Sequence, residues 1–245
     1  MKKTLRISCD VDGCILDIKK KFVEYFTLSY PNEVDDLDFN KYFYGYKNGK
    51  KSLKRKKCFD MIMSTNAIAN LEFYDNAIDS FNNIAKNCEI YICSSLNSNL
   101  FRGREKNLSK LNYKTLHCYD TNEMSKLQMI RKLGDIDYVI EDKPKTIKIL
   151  YNAGYKVLYP SWHGYTKGLE EFGIPFDSWK CLDDLLYFMS KSKKKNNLSN
   201  TQNYEITIFE NIKQRFPTIS STYSIIDIID ETFRMPNVEY ETETK

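Results

Sequence analysis

The residues of this sequence that could carry chemistry are acidic side chains placed directly after short apolar runs. Asp10 and Asp12 follow one such run, and Glu141 and Asp142 follow another. In an open parallel sheet the working crevice lies outside the carboxyl ends of the strands. Carboxylates gathered there would repel one another, and a divalent cation that prefers oxygen ligands, Mg²⁺ first, would relieve the repulsion.

Asp10 and Asp12 also offer two reactive groups within one turn of chain. The carboxylate of Asp10 could attack an electrophile, and Asp12 could donate and accept protons. Gly13 lets the chain leave the strand tightly. The same pattern of two aspartates and a glycine is common in turns and calcium loops, so it indicates catalysis only together with the other motifs.

Three further residues suit an anion. Ser94 and Ser95 follow another apolar run and could donate hydroxyl and amide hydrogen bonds, and Lys126 stands at the start of a predicted helix. Taken singly, the serines are typical of a strand-end cap and the lysine of a solvated helix. Their joint placement at the ends of successive predicted strands favours a phosphate-binding site.

The elements that must position these residues follow from apolar patterning. Continuous apolar runs predict buried parallel strands at residues 4–9, 89–93, 115–119, 137–140 and 156–159. Helical periodicity fills the intervals, with an N-cap at Asp75 or Asn76 and a C-cap at Gly154. Because strands and helices alternate, we expect an α/β fold with a doubly wound parallel sheet.

Two segments break this alternation. Residues 17–74 predict a helical cap inserted after the first strand, with one helix at 19–30 and another at about 53–69. Residues 190–245 predict a polar, lysine-rich linker followed by a helical C-terminal extension. The remaining parts, residues 1–16 and 75–189, form the predicted catalytic core.

Composition narrows the class of protein. Of 245 residues, 42% are hydrophobic and 29% charged, which is ordinary for a globular chain, and the net charge of +4 does not require a nucleic-acid partner. Seven cysteines without paired spacing predict a reducing compartment, and two histidines argue against a histidine-rich zinc site. No apolar run could span a membrane and no signal-peptide core appears, so we expect a cytoplasmic protein.

Taken in order, the motifs resemble those of the haloacid dehalogenase-like phosphohydrolase superfamily over about residues 4–160. The resemblance implies that Asp10 is the nucleophile and forms an aspartyl-phosphate. It implies that Asp12 protonates the leaving oxygen and then activates water, and that Ser94 and Lys126 bind the phosphoryl group. Ser95 stands beside that serine.

The same resemblance implies a metal. Mg²⁺ would be held by the carboxylate of Asp10, the backbone carbonyl of Asp12 and Asp142. Glu141 stands where many relatives have another aspartate, and it could order a metal-bound water.

The long insertion and the triplet Glu141-Asp142-Lys143 further resemble the 5′(3′)-deoxyribonucleotidase family, a cytosolic type C nucleotidase family, as does Ser178-Trp179. This implies an enzyme that removes phosphate from nucleoside monophosphates, with a small-molecule nucleotide as substrate and a homodimer allowed. The aromatic-rich residues 39–46 would then enclose the base, or they form only the core of the cap.

Two alternatives stay open. The lysine-rich residues 47–57 could attract a polyanion, and residues 101–142 resemble the phosphatase half of polynucleotide kinase-phosphatases, so an enzyme acting on nucleic-acid ends is the runner-up. A binding protein that has lost catalysis is the third reading. It is disfavoured because Asp10, Asp12, Lys126 and Asp142 are all present.

Overall fold

The computed structural model describes residues 4–33, 53–120 and 122–195, and within them one six-stranded parallel sheet. The strand order is β3-β2-β1-β4-β5-β6. The strands are β1 (Leu5–Cys9), β2 (Cys88–Ser95), β3 (Thr115–Tyr119), β4 (Tyr138–Ile140), β5 (Val157–Pro160) and β6 (Ile174–Phe176). The doubly wound α/β prediction is confirmed.

Helices connect the strands and form the insertion. Short 3₁₀ turns occur at Pro31–Glu33, Ser98–Leu100 and Gly164–Thr166. The α-helices are α1 (Ile18–Ser29), α2 (Leu53–Ile62), α3 (Thr65–Ala69), α4 (Ala77–Ala85), α5 (Phe101–Leu108), α6 (Lys126–Lys132), α7 (Pro144–Asn152) and α8 (Trp179–Lys195). None of the described helices is long and apolar enough to cross a membrane.

The strand order makes β1 the central strand from which the chain builds the sheet first to one side and then to the other. The chain proceeds from β1 outward through β2 and β3, and then β4 pairs with the other side of β1. Cys9 is in register with Ile92 on one side and with Ile140 on the other. The residues that follow these strands therefore leave the sheet at one level, at the reversal point where open α/β sheets bind ligands.

Two sequence predictions about the elements are wrong. Strand β6 was not predicted, because it is three residues long and contains Pro175. The helix expected at about 53–69 is two helices, since the Ser64 side chain accepts a hydrogen bond from the backbone of Ala67 and starts α3. Within α2, Cys58 and Ile62 are buried, whereas Met61 is 44% exposed.

The insertion is joined to the sheet by two neighbouring segments of chain. Leu16 and Phe73 form an antiparallel bridge, and the backbone N–H of Asp17 donates to the carbonyl of Glu72 at 2.8 Å. Beyond them, α1 packs on α2 through Phe22 and Phe59, whose ring centroids are 5.2 Å apart. Residues 39–46 and most of the lysine-rich residues 47–57 lie outside the described residues, and the role of a cap stays a prediction.

The last described helix runs further than the sequence indicated. Helix α8 continues to Lys195, six residues past Met189, where we expected a linker, and Ser190 is buried. Met1–Lys194 form one compact unit and Lys195–Lys245 a second. The helices predicted within residues 196–245 lie outside the described residues.

We expect a chain that ends at Lys195 to keep the unfolding temperature of the full chain within about 2 °C, because the catalytic motifs and the sheet lie within the first unit. A chain that ends at Met189 removes the buried Ser190 and should unfold at a lower temperature. Thermal unfolding of both truncations against the full chain checks this. A large loss for the Lys195 truncation would show that the C-terminal residues stabilise the sheet.

Candidate active site

The centre of the site is a buried ion pair between Asp10 and Lys126. The ammonium of Lys126 lies 2.8 Å from Oδ1 of Asp10 and 3.5 Å from Oε2 of Glu141. It also donates a hydrogen bond to the backbone carbonyl of Cys93 at 2.7 Å. Lys126 therefore joins the carboxyl ends of β1, β2 and β4.

The start of α6 explains how Lys126 reaches this position. Ser125 is the N-cap: its hydroxyl accepts from the backbone N–H of Gln128 at 3.3 Å, and the Gln128 side chain accepts from the backbone of Ser125 at 2.8 Å. This reciprocal capping box fixes the first turn of the helix. Lys126 is the first residue of α6, so its long side chain extends from a defined backbone position.

A second cation faces the same carboxylate. The ammonium of Lys143 lies 3.8 Å from Oδ2 of Asp10, and its side chain is half exposed. Burial disfavours the charged form of Asp10, yet the charges of Lys126 and Lys143 outweigh it and lower the pKa of this carboxyl. The Asp10 carboxylate in turn raises the pKa of Lys143. Asp10 is thus an ionised carboxylate beside two ammonium groups, the form that a nucleophile needs.

The acidic pair after β4 has the opposite electrostatics. Burial, with the Asp10 charge next, raises the pKa of Glu141 to about 8. Burial also raises the pKa of Asp142 to about 6, and Asp10 adds to this effect. Oε1 of Glu141 accepts from the backbone N–H groups of Asp142 and Lys143, at 3.1 and 3.0 Å, so its side chain is turned back over its own loop.

These carboxylates form a set that a cation could join. One oxygen each of Asp10, Glu141 and Asp142 lies within 4.8 Å of the others. The donors are all oxygens and all buried, and the raised pKa values of two of them show that negative charge there lacks full compensation. This chemistry fits Mg²⁺. Asp10 and Asp142 meet as the sequence predicts, and Glu141 joins them.

Asp12 has a partner that the sequence analysis did not identify. Nη2 of Arg104, on α5, donates to Oδ1 of Asp12 at 2.7 Å and to Oδ2 at 2.6 Å. Arg104 is fully buried, and the Asp12 side chain is 15% exposed. The side chains of Asp10 and Asp12 therefore have different cationic partners. In the sequence, residues 101–105 are notable only as part of the resemblance to polynucleotide kinase-phosphatases. Their distance along the chain from Asp12 does not predict a contact.

The loop between Asp12 and Ile15 is held by side chains that follow β5 and β6 in the chain. Nε2 of His163 donates to the carbonyl of Gly13 at 2.7 Å, and Nε1 of Trp179 donates to the carbonyl of Cys14 at 3.0 Å. The Tyr165 hydroxyl donates to Oδ2 of Asp142 at 2.6 Å. The sequence predicted none of these contacts, which join residues up to 165 positions apart.

The predicted phosphate-binding serines lie on the same edge. Ser94 comes one residue after Cys93, the position level with Asp10, and its buried hydroxyl has no hydrogen-bond partner among the described residues. An unpaired buried hydroxyl is costly unless a ligand or water completes it. Ser95 is in register with Tyr119 at the edge of β3. Lys126 contacts Asp10 and the carbonyl of Cys93, Ser94 is the next residue of β2, and Ser95 lies one position further along.

Comparisons with known proteins give the fold. No protein-family model matches the chain, and no curated protein matches it. Among solved structures, a haloacid dehalogenase-like hydrolase from Streptococcus pneumoniae is 14% identical, with a TM-score of 0.56 over 77% of this chain and 100% of that one. The chain has the fold of the haloacid dehalogenase-like hydrolases.

Two other solved structures are similar over comparable shares of this chain. A hydrolase of this family from Deinococcus radiodurans, with bound phosphate and sodium, is 14% identical, with a TM-score of 0.53 over 74% of this chain and 94% of that one. The L-2-haloacid dehalogenase from Xanthobacter autotrophicus is 12% identical, with a TM-score of 0.53 over 76% of this chain and 99% of that one.

Substituting Gly13 should dismantle the acidic set. Its φ is +89°, and a Cβ there would lie 2.2 Å from Oδ2 of Asp142. We expect Gly13→Ala to abolish Mg²⁺ binding measured by calorimetry and to lower stability by about 1–3 kcal/mol from the backbone strain alone. Gly154→Ala is the matched control, since φ is +84° there but nothing lies within 4 Å of the added Cβ. It should lose stability yet bind Mg²⁺ normally, and normal binding by Gly13→Ala would contradict the packing argument.

The acidic pair also predicts a pH dependence. Glu141 has a pKa of about 8 in the folded chain against 4.5 for the unconstrained group, so the folded state holds the extra proton between these values. Its contribution to stability is therefore fully present at low pH and is lost as pH rises through about 8. Because Mg²⁺ would take the place of protons, it should raise the unfolding temperature more at pH 8 than at pH 6.

Glu141→Gln supplies the comparison for this measurement. The amide does not titrate, so the difference between the two pH values in the Mg²⁺-induced shift should shrink. An equal Mg²⁺ effect at pH 6 and pH 8 in the unsubstituted chain would show that the acidic pair is not where the metal binds.

Proposed function

We propose that this chain is a Mg²⁺-dependent phosphomonoester hydrolase that acts on nucleoside monophosphates, 5′(3′)-deoxyribonucleotides foremost, through an aspartyl-phosphate on Asp10. The observation that carries the proposal is the ionised, buried Asp10 between Lys126 and Lys143, with Glu141 and Asp142 beside it. A phosphate ester brings two negative charges to a carboxylate, so attack requires cations at that point.

In the first step an Asp10 oxygen attacks phosphorus and the ester oxygen departs with a proton from Asp12. Lys126 and the unpaired hydroxyl of Ser94 would hydrogen bond to the phosphoryl oxygens. Mg²⁺ held by Asp10, the Asp12 carbonyl and Asp142 would supply the remaining neutralisation of charge.

In the second step water attacks the phosphorus of the aspartyl-phosphate. The new bond joins the water oxygen to phosphorus, the bond from phosphorus to the Asp10 oxygen breaks, and Asp12 accepts the water proton. Phosphate leaves and the carboxylate of Asp10 is restored. Asp12 thus gives one proton to the leaving oxygen in the first step and gains another from water in the second, which restores its starting form.

Dehalogenation, the reaction for which the Xanthobacter neighbour is named, differs from phosphoryl transfer in the charge that the site must neutralise. Displacing halide from carbon develops no charge on phosphoryl oxygens and gives no role to a cluster of three buried carboxylates. Two lysines and an acidic set on the same nucleophile favour phosphoryl transfer. The Deinococcus neighbour, which holds phosphate, agrees with this preference.

Aromatic side chains beside the acidic set favour a substrate with an aromatic base. Tyr74 and Trp162 lie with ring centroids 5.2 Å apart, and His163 stacks on Tyr165 at 4.7 Å. The Tyr165 hydroxyl contacts Asp142, so these rings begin at the metal-binding carboxylates. His163 is buried, whereas Tyr74, Trp162 and Tyr165 are only partly buried, and a flat base would stack on one of these three rings while its phosphate faces Asp10.

The described part of the lysine-rich residues 47–57 gives little support to the alternative of an enzyme that acts on nucleic-acid ends. Lys54 pairs with Glu33, Lys56 lies 3.7 Å from Asp60, and Arg55 lies over the ring of Phe59. Cations that are paired locally have less charge to offer a polyanion. We therefore rank the polynucleotide 3′-phosphatase second.

A substrate panel with Mg²⁺ tests the proposal. Thymidine and deoxyuridine monophosphates should release phosphate faster than a 3′-phosphorylated oligonucleotide, L-2-chloropropanoate should release no chloride, and chelation of Mg²⁺ should stop turnover. Preference for the oligonucleotide would favour the runner-up, and chloride release would favour a dehalogenase.

Asp10→Asn should lower phosphate release at least about 1,000-fold, because an amide is a poor nucleophile and a weak metal ligand. No acid-stable phosphoenzyme should form from ³²P-labelled substrate. Asp79→Asn, an exposed position on α4, is the matched control and should keep full activity. Phosphoenzyme in the Asp10 variant would place the nucleophile elsewhere.

A further inference from the structure

The buried guanidinium of Arg104 has no role in the steps described so far. It lies on α5, and it contacts a carboxylate 92 positions away in sequence. A single nitrogen, Nη2, serves both oxygens of Asp12. Nε and Nη1 are enclosed and have no hydrogen-bond partner among the described residues.

Stability does not account for this arrangement. A fully buried guanidinium with two unsatisfied nitrogens is expensive to desolvate, and apolar side chains of similar volume often replace buried ion pairs without loss of stability. What Arg104 provides is a fixed orientation for the Asp12 carboxylate. Nη2 lies within hydrogen-bond distance of both carboxylate oxygens and belongs to a planar group, so both contacts persist only while the two oxygens of Asp12 face Nη2.

Arg104 is itself held in place. Asn107, one turn later on α5, donates from Nδ2 to the carbonyl of Leu71 at 2.9 Å and so fixes the helix to the end of the insertion. Leu108 is fully buried on the same helix. The guanidinium therefore comes from a rigid element, as precise orientation of a reactive group requires.

We propose that Arg104 is a positioning residue for Asp12 that serves the hydrolysis of the aspartyl-phosphate more than its formation; this rests on the phosphatase function proposed above. A carboxylate has about four acceptor sites, and Arg104 occupies two of them, which leaves sites for a proton from the attacking water. Nη2 faces both Asp12 oxygens, so the orientation that it fixes is that of a carboxylate that accepts hydrogen bonds, which is the role of Asp12 in the second step.

The two steps can be separated by substrate. p-Nitrophenyl phosphate has a leaving group that needs no proton, whereas thymidine monophosphate has one that does. We expect Arg104→Met to lower kcat for both substrates by about 100-fold, which is the low end of the effect of a positioned proton-transfer group. The two kcat values should converge, because loss of phosphate from Asp10 then limits both. kcat/KM for p-nitrophenyl phosphate should change less than about threefold, since it reports only formation of the phosphoenzyme.

The decisive readout is the fraction of enzyme that carries phosphate during steady turnover, measured by acid quench with ³²P-labelled substrate. It should rise several-fold in Arg104→Met relative to the unsubstituted chain. Arg104→Lys keeps the charge, but the lysine side chain is shorter and lacks the planar group that directs Nη2 at both oxygens, so its fraction should be intermediate. It decides the question if the methionine variant does not fold. Arg102→Met, on the exposed side of the same helix, is the matched control and should match the unsubstituted chain.

A double variant adds a second criterion. With Asp12→Asn in place, Arg104→Met should change the phosphoenzyme fraction no further, because the residue it positions is already disabled. An unchanged fraction in both Arg104 variants, or equal losses of kcat and kcat/KM for both substrates, would overturn the role of Arg104. The absence of phosphate release from the unsubstituted chain would instead contradict the proposed function itself.

Discussion

The structure of this site depends on burying the Asp10 carboxylate. A buried carboxylate is tolerated only when an opposite charge and hydrogen bonds replace water, and Lys126 provides both at 2.8 Å. The same ammonium is held by the carbonyl of Cys93 and faces Glu141, so it binds three strand ends together. Removing one partner of such a pair typically costs about 3–5 kcal/mol, so the stability of the folded chain depends on this arrangement of charges.

Much of this arrangement could be predicted from the sequence, because it follows from where strands end. The register of Cys9 with Ile92 and Ile140 brings the residues after β1, β2 and β4 to one level, as the argument from open parallel sheets requires. The apolar runs identified these strands because both of their faces are buried. Strand β6 could not be predicted, because a run of three residues that contains a proline gives no clear apolar pattern.

The parts of the site that were not predicted are contacts between side chains. Arg104 meets Asp12 across 92 residues, and Tyr165 meets Asp142 from the turn after β5. Such contacts depend on how α5 and the β5–β6 connection pack on the sheet, and periodicity does not encode that. The break in the helix at Ser64 is a smaller case, because a serine that caps a new helix looks the same in sequence as a serine within one.

The loop after β1 shows how one short segment can hold two carboxylates in different surroundings. Asp10 faces two lysines and the acidic oxygens of Glu141 and Asp142. Asp12 faces the guanidinium of Arg104 on α5. Gly13 follows with a positive φ, and any side chain at this position would overlap with Asp142. His163 and Trp179 donate hydrogen bonds to the carbonyls of Gly13 and Cys14. Because the backbone is fixed on both sides of Asp12, the carboxylates cannot exchange partners. Different surroundings for two like groups are the usual physical basis for assigning one to attack and the other to proton transfer.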